Sequence, residues 1–246
     1  MECYKEFAYI YDELINSDID YKAWGKFIID ICDNYNLSKE YYLDLACGTG
    51  NLTQVMYKLF KHSFGVDMSV DMLTEADSKM STGVLKPQFI CQDICKLNIN
   101  KQFDLITCGL DSVNYITDEK QLKSLFLKVK DNLTQDGLFI FDINSYFKLK
   151  EIIGSNIFTF DNDDVVYIWD NSFEDDIVDM YLTFFIKRGN VYHKTYEQHQ
   201  ERAYKTEYIL NLLKECGLIC VQTFDNYENK KISKDTLRIT FVVKNI

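Results

Sequence analysis

The sequence predicts a doubly wound α/β fold, in which helices cover both faces of a mostly parallel sheet. Short apolar runs typical of strands alternate with helical stripes of apolar residues over residues 41–143, which is the pattern of βαβ units. The strand runs show almost no polar alternation, as expected where helices bury both faces of a sheet. The pattern is interrupted at residues 145–205 and resumes at Thr206. With 246 residues, the chain suits one large domain with an insertion.

Two amphipathic helices are predicted before the first strand, as a helical cap over residues 1–40. Apolar residues recur at helical spacing from Phe7 to Ile15 and again from Tyr21 to Tyr35. The segment Ser17–Asp20 between them supplies turn and N-cap residues.

Five strands and three helices are predicted in the first part of the alternation. The strands are Tyr41–Ala46, His62–Val66, Gln88–Cys91, Phe103–Leu110 and Gly137–Ile143. The helices carry their apolar stripes over Leu52–Phe60, Met72–Met80 and Leu122–Leu133. Ser69 is the N-cap candidate of the second helix. Asp118 and Glu119 lie in the first turn of the third, where the helix dipole favours negative charge.

The interrupting segment, residues 145–205, is predicted to form a small antiparallel β insertion. Polar and apolar residues alternate over Val178–Lys187, a turn follows at Arg188–Asn190, and the alternation returns over Val191–His199. This pattern indicates a β-hairpin. Val165–Trp169 is the predicted third strand of the same sheet.

The α/β pattern ends with a helix and two strands. The helix carries its stripe over Ile209–Cys216 with Gly217 as its C-cap, and the strands are Leu218–Phe224 and Leu237–Val243. The predicted organisation is therefore an α/β domain of residues 1–144 and 206–246 that holds the insertion of residues 145–205.

The composition excludes several classes of function. The chain has 27 Lys and Arg residues against 38 Asp and Glu residues, a net charge of −11, which disfavours general nucleic-acid binding. We expect no secretory leader, because no basic segment with a following apolar run opens the sequence. No apolar run approaches the ~20 residues of a membrane span. The eight cysteines lie mostly inside apolar runs without zinc-ribbon spacing, so free thiols, no metal site and a cytoplasmic location are expected.

The strongest functional signal is the segment Asp44–Gly50 (Asp-Leu-Ala-Cys-Gly-Thr-Gly), at a predicted turn from strand to helix. Open α/β sheets bind ligands outside the carboxyl ends of their strands, and glycines let a ligand approach the backbone closely. Thr53 stands where a dinucleotide fingerprint has its third glycine, and the lysine of a phosphate-binding loop is missing. Asp44 would repel a pyrophosphate but suits a cationic ligand, so a nicotinamide-dependent oxidoreductase is disfavoured.

Two further carboxylates end the next two strands. Asp67 follows Gly48 at the roughly 20-residue spacing at which a carboxylate accepts ribose hydroxyls. Asp93 ends the third strand, where it can accept the amino group of an adenine. Carboxylates at three successive strand ends suit a nucleoside with a positively charged tail and no phosphate. S-adenosylmethionine is a ligand of this kind.

In this order, the residues resemble the motifs of the class I S-adenosylmethionine-dependent methyltransferases. The resemblance covers most of the chain and also includes Gly65–Ser69, Gln92–Ile94, Phe103–Asp104 and Asp136–Gly137. It implies a Rossmann-like methyltransferase sheet with one antiparallel strand at its edge. It also implies cofactor contacts, which are Asp44, Ala46, Gly48 and Gly50 with the methionine part, Asp67 and Met68 with the ribose, Asp93 and Ile94 with the adenine, and Leu110 and Asp111 with the sulfonium.

The predicted N-terminal helices are expected to close over the cofactor. Tyr11 and Trp24 offer aromatic faces, which attract a sulfonium through a cation–π interaction. Ordinary core packing is the alternative role for these side chains.

The residues after the fourth strand are predicted to contact the methyl acceptor. The segment Asp111–Tyr115 (Asp-Ser-Val-Asn-Tyr) lacks the N-P-P-Y or D-P-P-Y pattern of enzymes that methylate amino groups of nucleic-acid bases. Together with the acidic net charge, this favours a small-molecule acceptor. Asp111 and Asn114 are candidate catalytic residues, and a cap or loop role is the alternative for Asn114.

The insertion is predicted to act as a lid over the acceptor. His193, Glu197 and His199 share one face of its returning strand, and Arg202 follows toward the domain junction. His199 is the candidate base or acceptor-orienting group. A solvent-exposed polar strand face is the alternative for these residues.

The sequence therefore predicts methyl transfer from S-adenosylmethionine to a small molecule by in-line displacement, with S-adenosylhomocysteine as the product. Because the sulfonium already activates the methyl carbon, alignment supplies much of the acceleration, and a base is needed only if the nucleophile starts protonated. A non-catalytic S-adenosylmethionine-binding regulator or partner protein is the alternative. We expect a monomer or homodimer without general nucleic-acid binding and without membrane binding.

Overall fold

The computed structural model describes residues 19–81 and 85–246, and its main element is a seven-stranded mixed sheet. The helices are α1 (Tyr21–Asn34), α2 (Asn51–Met56), α3 (Val70–Lys79), α4 (Glu119–Asn132) and α5 (Thr206–Glu215). The strands of the main sheet are β1 (Tyr41–Leu45), β2 (His62–Asp67), β3 (Gln88–Cys91), β4 (Phe103–Cys108), β5 (Leu133–Asn144), β10 (Leu218–Asp225) and β11 (Arg238–Asn245). The first predicted helix and the cofactor candidate Tyr11 lie outside the described residues.

The main sheet has the strand order β10–β11–β5–β4–β1–β2–β3. Strands β1 to β5 pair in parallel, whereas β11 is antiparallel to both β5 and β10. The direction of winding reverses between β1 and β4, where sheets of this kind bind ligands outside the carboxyl ends of the strands. The predicted doubly wound sheet is confirmed, but its antiparallel strand, β11, stands second from the edge and not at the edge as expected.

Helices cover both faces of the main sheet, because the central strands carry apolar residues on both sides. Leu43 and Leu45 of β1 belong to the same buried cluster as Phe126 of α4. Tyr42, which points the opposite way, belongs to a second buried cluster with Ile28 of α1. The continuous apolar runs of the sequence thus correspond to strands that are buried on both faces.

The ends of the helices largely follow the predicted caps. Ser69 and Asp118 cap α3 and α4, since each side chain accepts main-chain N–H groups of the first turn. Gly217 follows α5 with a φ angle of 78°. One prediction is wrong: the apolar stripe that ends at Phe60 is not a single helix, because α2 ends at Met56 and a 3₁₀ turn follows.

Within residues 145–205, four strands form a second, antiparallel sheet, called the lid sheet below after its predicted role. They pair in the order β6 (Ile157–Asp161), β7 (Val165–Glu174), β8 (Ile177–Arg188) and β9 (Val191–Arg202). The predicted hairpin corresponds to β8 and β9, and β7 extends beyond the predicted end at Trp169. Strand β6 and a π-helix at Lys148–Ile153 were not predicted.

The lid sheet buries one face near the ends of β8 and β9. Met180 pairs with His199 and Val178 pairs with Glu201, and all four residues are buried. We call this side the inner face. Asp179, between the two β8 residues, belongs to the outer face.

The seven cysteines in the described ranges are free thiols, as predicted. Burial raises the pKa of Cys32 to about 12, and it also raises the pKa of Cys108. These two thiols therefore stay protonated and unreactive near neutral pH. None of the described helices is both long enough and apolar enough to cross a membrane.

Candidate active site

The loop after β1 leaves open space above its backbone. Ala46, Gly48 and Gly50 adopt positive φ angles of 52°, 52° and 76°. A Cβ atom at Gly48 would meet nothing within 4 Å, so a ligand can approach the main chain there. At Gly50, a Cβ atom would lie 2.6 Å from the end of the Met80 side chain and 3.0 Å from the Cβ of Ala76. Glycine at this position thus lets α3 pack closely against the loop.

Asp44 lies beneath this loop and is only 2% exposed. Thr53 and Thr107 donate their hydroxyl groups to its two carboxylate oxygens at 2.5 and 2.7 Å. Burial raises the pKa of Asp44 to about 6, although these hydrogen bonds act in the opposite direction. Thr53, which occupies the third glycine position, thereby ties α2 to β1. Direct contact between Asp44 and the cofactor stays a prediction, since both oxygens have partners within the protein.

Asp67 joins the end of β2 to the glycine loop. The N–H groups of Gly48 and Ser69 donate to its two carboxylate oxygens, each at 2.9 Å. Burial raises the pKa of Asp67 despite these bonds. Each oxygen keeps a further lone pair, so the carboxylate can still accept hydroxyl groups. The neighbouring Met68 is 72% exposed, and both predicted ribose residues therefore lie beside the open glycine.

Asp93 and Ile94 follow β3, the parallel neighbour of β2. This pairing brings Asp93 to the same edge of the sheet as Asp67. One oxygen of Asp93 accepts the N–H of Cys95 at 2.9 Å, and the other pairs with Lys96 at 3.1 Å. The three acidic strand ends of the sequence motif are thus neighbours in space, as predicted.

A buried carboxylate outside the predicted set holds the loop after β4. Asp142 of β5 is completely buried, and its two oxygens accept the N–H groups of Leu110 and Asp111 at 2.8 and 2.9 Å. Both loop residues have positive φ angles, 55° and 50°, which cost energy in residues other than glycine. The two hydrogen bonds therefore fix a strained loop at the predicted position of the sulfonium.

Arg238, the first residue of β11, pairs with the acids around this loop. Its guanidinium contacts Asp111 at 2.6 Å and also contacts Asp142, which accepts the Tyr227 hydroxyl at 2.6 Å as well. Trp24 stacks on Tyr227 with 4.0 Å between ring centroids, and Arg238 lies over the Trp24 ring. Because Trp24 is only 4% exposed, packing accounts for its position, and these neighbours do not support its predicted contact with the cofactor.

Known methyltransferases are similar to this chain in sequence and in fold. A family model described as a methyltransferase domain matches residues 43–137. A crystal structure of an S-adenosylmethionine-dependent methyltransferase from Clostridium acetobutylicum ATCC 824 is 52% identical, covers 99% of both chains and has a TM-score of 0.93. The chain belongs to the S-adenosylmethionine-dependent methyltransferases.

Two further relatives are similar over almost the whole length of this methyltransferase. One is a protein of Geobacillus sp. (strain WCH70) that is provisionally named a methyltransferase, with no acceptor given in the name. It is 30% identical to this chain, and the alignment covers 98% of this chain and 99% of the relative. The other is the S-adenosylmethionine-bound structure of CalS10, an amino pentose methyltransferase from Micromonospora echinaspora. It shares the fold with a TM-score of 0.79 and 13% sequence identity, and the match covers 96% of this chain and 97% of CalS10. The predicted family, enzyme class and cofactor are confirmed, and the regulator and oxidoreductase alternatives are not retained.

The glycine loop of the methyltransferase fits S-adenosylmethionine. The space above Gly48 admits a ligand close to the main chain. The Asp67 carboxylate, already placed by two N–H groups, retains lone pairs for ribose hydroxyls. The exposed side chain of Met68 adds an apolar surface at the same edge.

Asn114 of the methyltransferase joins the loop after β4 to the lid sheet. Its fully buried side chain donates to the carbonyls of Arg202 and Asn144 at 2.9 and 3.3 Å and accepts the N–H of Asn144 at 2.9 Å. The N–H of Arg202 donates back to the carbonyl of Asn114 at 2.7 Å. Because the protein itself occupies these polar atoms, the bonds fit the alternative loop role of Asn114, and its catalytic role stays a prediction.

His199 lies on the inner face of the lid sheet, against the loop after β4. Its Nε2 is 3.0 Å from Oε2 of Glu197, and its ring meets that of Tyr115 edge-on, with 5.9 Å between centroids. His193 is exposed at the far end of β9, and Arg202 pairs with the start of α4. The predicted cluster is therefore divided. His199 and Glu197 stay together, with His199 beside Tyr115 of the loop after β4, and the role of His199 as a base stays a prediction.

Four charged residues of this region were not among the predicted ones, namely Asp142, Lys148, Glu201 and Arg238. Glu201 follows His199 by two positions, so the period-two alternation, continued along β9, places it on the same buried face. Arg238 stands at the start of the last predicted strand, where an isolated arginine gives no functional signal. Lys148 lies in the π-helix that the sequence pattern did not reveal.

Proposed function

We propose that this methyltransferase methylates a small molecule that binds between the loop after β4 and the inner face of the lid sheet. The observation that carries this proposal is the attachment of β9 to that loop through Asn114. It supports a lid that stands over Leu110 and Asp111, the residues predicted to face the sulfonium. A site closed on this side suits a small acceptor better than a polymer.

Several hydrogen bonds support a rigid base for this lid. In addition to the bonds of Asn114, Arg202 donates from Nη1 to the carbonyl of Thr117 at 3.1 Å. The hydroxyl of Tyr204 donates to the carbonyl of Ile116. A fixed wall of this kind can orient an acceptor, and orientation can supply much of the acceleration of a displacement reaction.

Methyl transfer at this site depends mainly on alignment. When bound, S-adenosylmethionine supplies a methyl group that its positively charged sulfur activates. The glycine loop and Asp67 would hold the nucleoside, and the fixed turn at Leu110 and Asp111 would line the place where the acceptor enters. We propose in-line displacement, with the nucleophile of the acceptor held by the lid sheet on the side of the methyl carbon opposite the sulfur.

Charge and similarity support a small acceptor. The net charge of −11 repels nucleic-acid backbones. CalS10, an amino pentose methyltransferase by its name, has the same fold over 96% of this chain. The free thiols support a reducing, cytoplasmic location for the reaction.

Transfer of a labelled methyl group from S-adenosylmethionine to a panel of small amines, hydroxy compounds and acids tests the proposal. We expect at least one of these compounds to become labelled by the wild-type protein and not by the Asp67→Ala variant, which should bind the cofactor poorly. Labelling of added RNA, DNA or protein in preference to every small compound would overturn the proposed acceptor class.

A further inference from the structure

A buried carboxyl group, an amide and a lysine are linked under the lid sheet. Glu201 is 3% exposed, and its Oε2 accepts a hydrogen bond from Nδ2 of Asn144 at 2.9 Å. The Oδ1 of Asn144 accepts a hydrogen bond from Nζ of Lys148 at 2.8 Å. Asn144 therefore stands between an acid of the lid sheet and a base of the π-helix.

Glu201 lies at the junction between the lid sheet and the loop after β4. The next residue, Arg202, pairs with Asn114 through two hydrogen bonds. Asn114 in turn follows Asp111 by three residues. Its side-chain amide is fixed in position, because it also accepts a hydrogen bond from the N–H of Asn144 on β5. The carboxyl group is thus fixed beside the turn that is predicted to face the sulfonium.

Charged groups of three surrounding elements act on Glu201, namely Asp111 of the loop after β4, Lys148 of the π-helix and Arg238 of β11. Asp142 of β5 faces the same region and pairs with Arg238, and the His199–Glu197 pair lies on the same face of β9 as Glu201. Burial raises the pKa of Glu201 to about 8, the charge of Asp111 adds to this effect, and Asn144, Lys148 and Arg238 oppose it. Burial and Arg238 lower the pKa of Lys148. A modest change in nearby charge can therefore change the protonation of Glu201 near neutral pH.

We propose that Glu201 is the proton acceptor of this methyltransferase, taking the proton of an N–H or O–H nucleophile on the small acceptor. This role rests on the proposed function, which places the acceptor against the inner face of the lid sheet. Glu201 suits the role because it directly precedes Arg202, which is attached to Asn114, and because the charge of Asp111 in the loop after β4 acts on its carboxyl group.

The proposed step balances within the site. The lone pair of the acceptor's nitrogen or oxygen forms a bond to the methyl carbon, and the carbon–sulfur bond breaks with its electron pair left on sulfur. The proton of the nucleophile moves to the Glu201 carboxylate. A positive sulfur nearby favours the ionised carboxylate before transfer, and its neutralisation favours the protonated form afterwards. The change of charge in the reaction thus drives the proton toward Glu201.

Proton release on ligand binding tests this role without a known acceptor. S-adenosylmethionine and S-adenosylhomocysteine differ at the sulfur, where the first carries a positive charge. We would titrate each into the protein by calorimetry near neutral pH, in buffers of different ionisation enthalpy. The wild-type protein is expected to release more protons with S-adenosylmethionine. Glu201→Gln should lose this difference, and Asp179→Asn, a matched change on the outer face, should keep it.

The outcomes separate the two proposals. A difference in proton release that persists in a folded Glu201→Gln variant would overturn the role of Glu201. If that variant does not fold, Lys148→Met serves instead. Without this cation the pKa of Glu201 rises, so the pH at which the two ligands differ most in proton release should increase. An unchanged pH dependence of proton release would also overturn the role of Glu201. Normal proton release combined with no methylation of any small compound would refute the proposed acceptor class and leave Glu201 as a group that responds to the sulfonium.

Discussion

At the scale of single residues, the cofactor site depends on a carboxylate that also holds the backbone. Asp67 accepts the N–H groups of Gly48 and Ser69 and is predicted to bind the ribose. We expect Asp67→Ala to weaken the binding of S-adenosylhomocysteine by about 1–3 kcal/mol, because charge-assisted hydrogen bonds are lost. Calorimetry measures this change, and Asp71→Ala, an exposed acid in the first turn of α3, is the control. Unchanged affinity in a folded variant would reject the ribose contact.

Asp44 makes the stability of the protein fall as the pH rises through the acidic range. Its pKa in the folded protein is about 6, above the ordinary value of 3.8. Between these two values the folded chain keeps a proton that the unfolded chain has lost, so each rise in pH favours unfolding. Above the folded pKa the full penalty of a buried charge is present, and the hydroxyl groups of Thr53 and Thr107 limit it.

Thr53→Val removes one of those two hydroxyl groups. We expect the free energy of unfolding at neutral pH to fall by about 1–3 kcal/mol, because a buried carboxylate loses a hydrogen bond. The loss should be smaller below the folded pKa, where Asp44 is protonated. Urea unfolding at several pH values measures both effects, with the exposed Thr74→Val as the matched control. An equal loss at acidic and neutral pH would show that the variant acts through packing alone.

The predicted part of the site consists of residues whose signal is local in the sequence. The segment Asp44–Gly50 and the acids Asp67 and Asp93 each lie at or just after the end of a recognisable strand. Asp111 and Arg238, in contrast, are 127 residues apart and meet through pairing of β11 with β5. Asp142 and Glu201 lie in strands whose patterns are visible in the sequence, but the sequence does not show which distant residues they meet, because those contacts depend on how the elements pack.

At the scale of elements, the sequence predicts those elements in which burial follows a regular period. Strand β6 was missed because it is a short edge strand whose residues are mostly exposed, so neither face imposes a pattern. The π-helix was missed because its hydrogen bonds span five residues, as from Gly154 N–H to the carbonyl of Leu149. That spacing shifts its apolar residues away from the helical period on which the predictions rest.

Asn114 connects three elements, namely β5, β9 and the loop after β4. We expect Asn114→Ala to lower the free energy of unfolding by about 1–3 kcal/mol, since buried main-chain groups of Arg202 and Asn144 lose their partners. Hydrogen exchange should also become faster at the end of β9 and in the loop after β4. Asn156→Ala, which removes an exposed hydrogen bond to Ile152, is the control. Unchanged exchange at both places would show that the lid is anchored by other contacts.

At the scale of the whole molecule, the antiparallel direction of β11 determines where Arg238 lies relative to the proposed acceptor site. Because β11 runs against β5, its first residue, Arg238, pairs with Asn144 at the carboxyl end of β5. A parallel strand would place its first residue at the opposite edge of the sheet. One reversed strand thus brings a cation to the edge that collects the acids of the parallel strands.

Arg238→Met is expected to be among the most destabilising changes in the protein. It leaves Asp111 and Asp142 without their buried cation, and breaking a buried ion pair by removing one partner costs about 3–5 kcal/mol. Chemical denaturation measures the loss, with Arg188→Met in the exposed turn of the lid sheet as the control. If the free energy of unfolding falls by less than about 1 kcal/mol, water must enter and solvate the charges of Asp111 and Asp142 in place of the arginine.

The hydrogen bond between Asn144 and Glu201 also bears on how the chain folds. These residues stand at the two ends of the lid segment, 57 positions apart, so the segment leaves the main sheet and returns to the same place. Its strands join through successive antiparallel neighbours, contacts that are local and form early. Once they form, the ends of a long connection are already close, and the entropy needed to bring β11 beside β5 is smaller. The lid sheet therefore acts as a folded spacer that shortens the search for the last strand pairing.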